Sequence, residues 1–417
     1  MAHWAIWAIC AASIAGVLLR PRNVPEWVWA LGGALALVVL QLLPVRAAVA
    51  AAAKGVDVYL FLAGMMLLAE LARRESVFDW IAVHAVRAAH GSRMRLFALV
   101  YGVGVVVTAL LSNDATAVVL TPAVAAAVRA ANVDAPLPYL YACALVANAA
   151  SFVLPISNPA NLVIYAGTMP PLGRWLAAFA LPSLASIAAT YVALALVSRR
   201  DLQGGLASDI ARRPLERGGR VALAGIGVTA VALIVASSRG AKLGLVTFVC
   251  GALVFAIVTL FDRAAFAAVV RGVSWDVLVL VAGLFVLVAG VEVTGALEAA
   301  RHAVSGLGQM NVWGAAARIA GATALASNLT NNLPAGLLAG ASVSHLRGHD
   351  VLRNATALGI DLGPNLSVTG SLATVLWLIA LRREKIVVSA FAFLRVGVVV
   401  MPPALALAVV ALCLVAR

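Results

Sequence analysis

The sequence predicts an all-α polytopic membrane protein built from two structural repeats, and three observations carry that prediction. Of its 417 residues, 64% are hydrophobic and 11% charged, with a mean hydropathy of +1.03. So little polar surface excludes a soluble globular fold. Apolar runs of spanning length recur along the chain. Polar, helix-breaking segments interrupt them at corresponding places in the two halves: "ALLSNDATAVVLTP" (Ala109 to Pro122) and "VLPISNPANLVIY" (Val153 to Tyr165) in the first, "ALASNLTNNLPAG" (Ala324 to Gly336) and "GIDLGPNLSVTGSLATVLW" (Gly359 to Trp377) in the second.

Spans of roughly 20 residues, the length a bilayer requires, are readable at 4–19, 24–43, 57–72, 95–111, 172–198, 221–238, 243–260, 275–291 and 387–414. Adding the interrupted segments as shorter spans or re-entrant hairpins predicts about 10–12 spans. The first run, "HWAIWAICAASIAGVLLR", has no basic segment before it and leads directly into another span, so it is expected to be a retained helix. "DVYLFLAG" from Asp57 and "DVLVLVAG" from Asp276 match in spacing, and "AL-x-SN" recurs from Ala109 and Ala324. Residues 1–198 are therefore expected to form an N-terminal repeat of scaffold helices, then a broken helix and a hairpin. Residues 221–417 repeat the plan, in an inverted relation.

The net charge of +13 does not point to nucleic acid, because the arginines lie at span ends rather than along one soluble face. They mark topology. The stretch 199–220 carries Arg199, Arg200, Arg212, Arg213, Arg217 and Arg220, which makes it a cytoplasmic basic linker by the positive-inside rule. Arg73, Arg74, Arg382, Arg383 and Lys385 mark further cytoplasmic turns. Cys10, Cys143, Cys250 and Cys413 are scattered singly and read as apolar filler, with no metal site. No nucleotide-binding or metalloprotease motif is present, so no cofactor is expected, and energy has to come from a proton gradient or the membrane potential.

The first break of each half is read as a point where a helix unwinds within a span. It offers Ser112, Asn113, Asp114 and Thr116 in one half and Ser327, Asn328, Thr330 and Asn331 in the other. Pro334 is placed to open the next helix. The second breaks, with Asn158 and Asn161 in "SNPAN" and Asn365, Ser367 and Thr369 after "GP", favour turns and are read as protein-enclosed tips of re-entrant hairpins. Simple interhelical hydrogen bonding and interfacial loops are the bland alternatives; so many polar groups in so few positions exceed what helix association needs. Asp114 and Asp361 are the acids within these breaks. An ionised Asp at the bilayer centre costs about 2.5–3.5 kcal/mol on insertion scales, so both are candidates for taking up and releasing a proton. Asp57 and Asp276 are expected to cap helices, and Glu70 and Glu292 to sit near span ends beside water.

At these residues "LLSNDATAVVLTP", "SNLTNNLPAGL" and "GIDLGPNLSVTGSLATVLWLIALRRE" closely resemble the arsenite/antimonite efflux permease family of the ion transporter superfamily, over essentially the whole chain. The Ser-Asn tips also look like those of the divalent anion/sodium symporters of that superfamily, but Asp114 and Leu329 stand where those carry Thr. The resemblance implies extrusion of trivalent arsenite or antimonite across the bacterial cytoplasmic membrane, alone or with a separate ATPase subunit. It also implies an elevator-like motion and a homodimer.

The expected function is thus alternating-access arsenite/proton antiport conferring arsenic resistance. Arsenous acid presents three hydroxyls that Asn, Ser and Thr can bind by donating and accepting at once. Ser112, Asn113, Thr116, Asn158, Asn161, Ser327, Asn328, Thr330, Asn331, Asn365, Ser367 and Thr369 would bind substrate, and Asp114 and Asp361 would couple it to protons. No Arg lies in the breaks, whereas a dicarboxylate site would use cationic groups or several helix N-termini. The alternatives are a sodium-coupled carboxylate or sodium/proton carrier of the same superfamily and, from another class, an intramembrane aspartyl protease using the two acids as a pair.

Overall fold

A computed structural model of the chain describes residues 2–165, 168–207, 214–307, 310–344 and 350–416. Arg212 and Arg213 of the basic linker lie outside the described residues. The first repeat runs α1 (Ala2–Leu19), α2 (Glu26–Val39), α3 (Val45–Lys54), α4 (Val56–Arg74), α5 (Val77–Ala88), α6 (Arg93–Leu110) and α7 (Asn113–Ala115), which continues through a π-helical turn (Thr116–Leu120) into α8 (Thr121–Ala130). It ends with α9 (Leu137–Ala149), α10 (Pro159–Ile164) and α11 (Leu172–Val197). The second runs α12 (Arg217–Ser238), α13 (Leu243–Phe261), α14 (Arg263–Gly272), α15 (Asp276–Val293), α16 (Ala296–Leu307), α17 (Val312–Thr330), α18 (Asn332–Val343), α19 (Asp350–Leu362), α20 (Leu372–Arg383) and α21 (Ala390–Val415).

The lengths match pairwise. The amphipathic helices α3 and α14 have 10 residues each, α5 and α16 have 12, α9 and α19 have 13, and α11 and α21 have 26. Packing repeats the pattern: α4 on α13 is answered by α15 on α2, α12 on α13 by α1 on α2, and α6 on α9 by α17 on α19, while the two long helices α11 and α21 pack on each other. Among the described residues six helices are long and apolar enough to cross a membrane, and a seventh span arises if α3 and α4, bent by 47°, are taken together. The remaining helices are shorter or less apolar, α17 with its 19 residues among the latter.

Long-range hydrogen bonds reveal which breaks turn the chain back. Arg93 Nη2 donates to Asp134 at 2.9 Å and the Tyr139 hydroxyl donates to the Arg93 carbonyl at 3.2 Å. The chain that enters at Arg93 has therefore returned by Asp134, and α6 to α8 form a re-entrant hairpin although α6 alone has spanning length. In the second half α17 runs parallel to α19, with Thr323 donating to the Thr356 carbonyl at 3.4 Å and Asn328 to the Gly363 carbonyl at 2.9 Å. From the break at Asn331, α18 returns to the face where Gly340 and Arg353 share a cavity. The two kinds of break thus exchange the roles expected from the letters: the first breaks are hairpin tips, and the second are unwound spans, α9 to α10 and α19 to α20.

These unwound spans run in opposite directions. The Tyr165 hydroxyl donates to Asn354 Oδ1 at 2.6 Å, setting the end of α10 beside the start of α19. Arg129 pairs with Glu384 at 2.5 Å, setting the end of α8 beside the end of α20. That is the geometry of an inverted repeat. Arg93 and Arg129 share their face with the linker, whose Leu206 and Ala207 N–H groups donate to the Gly91 and Ala131 carbonyls at 3.0 Å.

Unwound backbone inside a bilayer must find partners within the protein. Ser186 and Trp175 of α11 donate to the Ala149 and Phe152 carbonyls at 2.7 and 3.1 Å. In the second span, Gly397 of α21 lies so close to the Asn365 and Leu366 carbonyls that a Cβ would collide with them. Gly397→Ala is expected to destabilise by about 1–3 kcal/mol through overpacking, read as a lower unfolding midpoint in detergent.

Two acid assignments change. Asp57 caps a neighbouring helix, accepting from Gly244 N–H of α13 at 3.0 Å. Glu70 is buried rather than beside water, and it is held by Arg73 at 2.5 and 2.7 Å.

Candidate functional site

Helices start in the membrane interior at both hairpin tips and both unwound spans, and each start has a side-chain cap. Ser112 Oγ accepts from Ala115 N–H at 3.3 Å, Asn158 Oδ1 from Ala160 N–H at 2.9 Å, Asn331 Oδ1 from Leu333 N–H at 3.3 Å and Ser371 Oγ from Thr374 N–H at 3.2 Å. Asn113 Oδ1 accepts from Asp114 N–H at 2.9 Å, and Thr116 bonds Thr108 at 2.8 Å. Asn331 has φ 76 and ψ 152, a backbone conformation that glycine adopts freely and other residues only under strain. Asn331→Gly should lose only the side-chain cap, on the order of a few tenths of a kcal/mol. Asn331→Val adds roughly 1–2 kcal/mol of backbone strain, so transport in vesicles is expected to fall in the order Asn, Gly, Val.

A cavity of about 90 Å³ is bordered by Ser112, Asp114 and Ala115 at the first tip, Pro159 at the start of α10 and Leu372 at the start of α20, with Phe61, Met65 and Glu70 of α4 opposite. A smaller one of about 20 Å³ touches Asn331, Leu333, Thr369 and Leu372. First residues of three helices therefore meet one cavity, and the positive ends of their dipoles favour negative or oxygen-rich solutes there.

The remaining predicted residues form two polar knots. In one, Asn328 donates to the Ala324 and Gly363 carbonyls at 2.7 and 2.9 Å, while Ser367 donates to Asn328 Oδ1 at 2.5 Å and Thr369 to the Asn328 carbonyl at 2.9 Å. Ser327 and Thr330 bond back to their own helix at 2.8 and 3.0 Å. The letter match "AL-x-SN" is therefore not the structural one. Ser327 and Asn328 lie in the last turn of α17, and it is Asn331 that occupies the break, as Ser112 does in the first half.

The other knot joins the two unwound spans. Asn158 Nδ2 donates to Asp361 Oδ1 at 2.8 Å and to Ser151 Oγ at 3.4 Å; Asn161 donates to the Ser151 carbonyl at 2.9 Å. Asn148 donates to Asn365 Oδ1 at 2.9 Å, and Asn365 to the Leu145 carbonyl at 3.0 Å. Asn148 and Ser151 were not among the expected site residues. The signal was an Asn in an Ala-rich helix end, preceding Asn158 by the same interval that separates Asp361 from Ser371. Among the described residues Asp114 and Asp361 share no hydrogen-bond partner, Asp361 being held by Asn158, so the two are not joined as the acid pair a protease needs.

The inverted repeat, its hairpins and the polar interior define a secondary-active, alternating-access membrane transporter of the ion transporter superfamily, not an enzyme. The chain belongs to the CitMHS citrate transporter family, whose model matches residues 5–360. It is 27% identical over 374 residues to the arsenical pump membrane protein of Escherichia coli K12, covering 84% of each chain. An uncharacterized transporter of Mycobacterium tuberculosis is 26% identical over 413 residues, 95% of each chain. The crystal structure of the Alcanivorax borkumensis YdaH transporter shares the fold, with a TM-score of 0.51 at 16% identity over 88% of this chain and 86% of that one. The protein is accordingly a multi-pass bacterial inner-membrane protein.

Proposed function

We propose that this chain is a cation-coupled carrier of a small carboxylate, working by alternating access. The single observation that carries this reading is the meeting of three helix starts at one cavity. The spans lack arginine in their breaks, and helix N-termini supply the positive end that a carboxylate needs in its place. The family match supports the same solute class. A buried acid, Asp361, with no ion pair among the described residues favours coupling to a cation, and Asp114, at the cavity wall, is its counterpart at the first tip. The hairpins and unwound spans would move as a unit against α1–α4 and α12–α15, in a homodimer.

Arsenite or antimonite extrusion by proton antiport is the second reading. The 27% identity to an arsenical pump membrane protein and a cavity of only about 90 Å³ favour it. Ser112, Asn113 and Thr116 at the tip suit a neutral, hydroxyl-rich solute, and a separate ATPase subunit would be an added partner. Uptake of labelled citrate and of arsenite into proteoliposomes, each under separately imposed sodium and proton gradients, separates the two readings. Citrate moving with a sodium gradient supports the first reading, and arsenite moving against a proton gradient supports the second.

A further inference from the structure

The two 26-residue helices α11 and α21 pack on each other with the start of each beside the end of the other, and a groove opens at both junctions. At the first, of about 580 Å³, Arg174 shares the wall with Arg353 and Asp350. The second, of about 650 Å³, is walled by Phe391, Leu394 and Val398 of α21, Val197 of α11 and Tyr141 of α9, and among the described residues its sole charged side chain is Arg395. Phe391, Leu394, Val398 and Val197 are exposed, which on two spanning helices means exposed to lipid. Arg395 is exposed as well and has no ion pair among the described residues. As the sixth residue of α21 it lies about 8 Å along the axis from the helix start, inside the span yet near enough for its long stem to lift the guanidinium to headgroup level. A cation so placed calls for an anion. Neither α11 nor α21 contains Asp or Glu, so a second copy packed through the same wall would bring no carboxylate to it.

We propose that the Arg395 groove seats a single anionic phospholipid, its phosphate on the Arg395 guanidinium and an acyl chain along Phe391, Leu394, Val398 and Val197. This stands apart from the transport reading and does not depend on the solute. The stretch before α21 strengthens the attraction: Arg382, Arg383 and Lys385 lie there, and Glu384, the acid among them, is already paired with Arg129. No carboxylate lines the groove to receive an ammonium headgroup, so an anionic lipid is preferred to a zwitterionic one. The Arg174 groove, with Asp350 in its wall, lacks that preference. A seated lipid fixes the depth of the α11 and α21 pair, whose Trp175, Ser186 and Gly397 support the unwound spans.

The test uses purified full-length protein in detergent without any transported solute. Dioleoyl phosphatidylglycerol and dioleoyl phosphatidylethanolamine are titrated separately, bound lipid is counted by native mass spectrometry, and the unfolding midpoint is followed in parallel. A single phosphatidylglycerol should bind about tenfold or more tightly than phosphatidylethanolamine and raise the midpoint saturably. Arg395→Gln should weaken that binding by about tenfold or more. Val398→Trp, which fills the groove and leaves the arginine in place, should do the same. Arg239→Gln, at an exposed arginine just past the end of α12, should change nothing. Should Arg395→Gln fail to fold, Val398→Trp and the comparison of the two lipids still decide. Equal binding of the two lipids, unchanged affinity in Arg395→Gln or Val398→Trp, equal stabilisation by inorganic phosphate alone, or a lipid-free dimer that Arg395→Gln dissociates would each overturn the seat.

Discussion

Asn158→Ala is expected to abolish transport and to destabilise the protein by about 3–5 kcal/mol, the cost of removing a partner from a buried charge. Asn158 has two tasks at once. Its oxygen caps α10 and its nitrogen holds Asp361 across the repeat axis, at 2.9 and 2.8 Å. Loss of the cap alone costs about 1 kcal/mol, so most of the effect belongs to Asp361. A double-mutant cycle separates the parts. Asn158→Ala with Asp361→Ala should be more stable than the sum of the single changes predicts, because no charge is then left behind. Chemical denaturation in detergent gives the energies and proteoliposome uptake gives the activity. Strict additivity, or near-normal uptake by Asn158→Ala, would show that the two side chains do not work together.

Asp114→Asn is expected to leave folding intact and to lower gradient-driven transport at least tenfold. Asp114 sits in the first turn of the hairpin's returning arm and borders the cavity, where its charge also opposes a second anion. The register that pairs Asp57 with Asp276 carries Ser112 onto Asn331 and Asp114 onto Leu333, so the second half has no acid to take its place. Asn is nearly isosteric and keeps the packing. Imposing a cation gradient should therefore drive little solute, while downhill exchange persists. Undiminished gradient-driven uptake would remove Asp114 from the coupling.

Much of the fold was legible because bilayer chemistry writes itself into composition. Long apolar runs, arginine at one set of ends and paired polar breaks led to the membrane class, and the Asp57 and Asp276 segments disclosed the duplication. Local letters could not say whether a break turns the chain back or lets it pass. Asn, Pro and Gly serve both a hairpin tip and an unwound span, and the difference lies in contacts such as Arg93 with Asp134 that are remote in sequence. The same limit hid Asn148. It ends an otherwise ordinary apolar helix, and its importance comes from Asn365, across the repeat axis. Conversely, Ser327 and Asn328 drew notice through a letter match that the backbone does not follow, although Asn328 still anchors Ser367 and Thr369.

The most direct measurement is solute flux in proteoliposomes holding only this purified chain, with sodium gradient, proton gradient and voltage imposed one at a time. The account predicts accumulation of a small carboxylate or of arsenite when a cation gradient alone is applied, and its loss in Asn158→Ala. No accumulation of either solute under any cation gradient, or accumulation that persists when every gradient is collapsed, would contradict it.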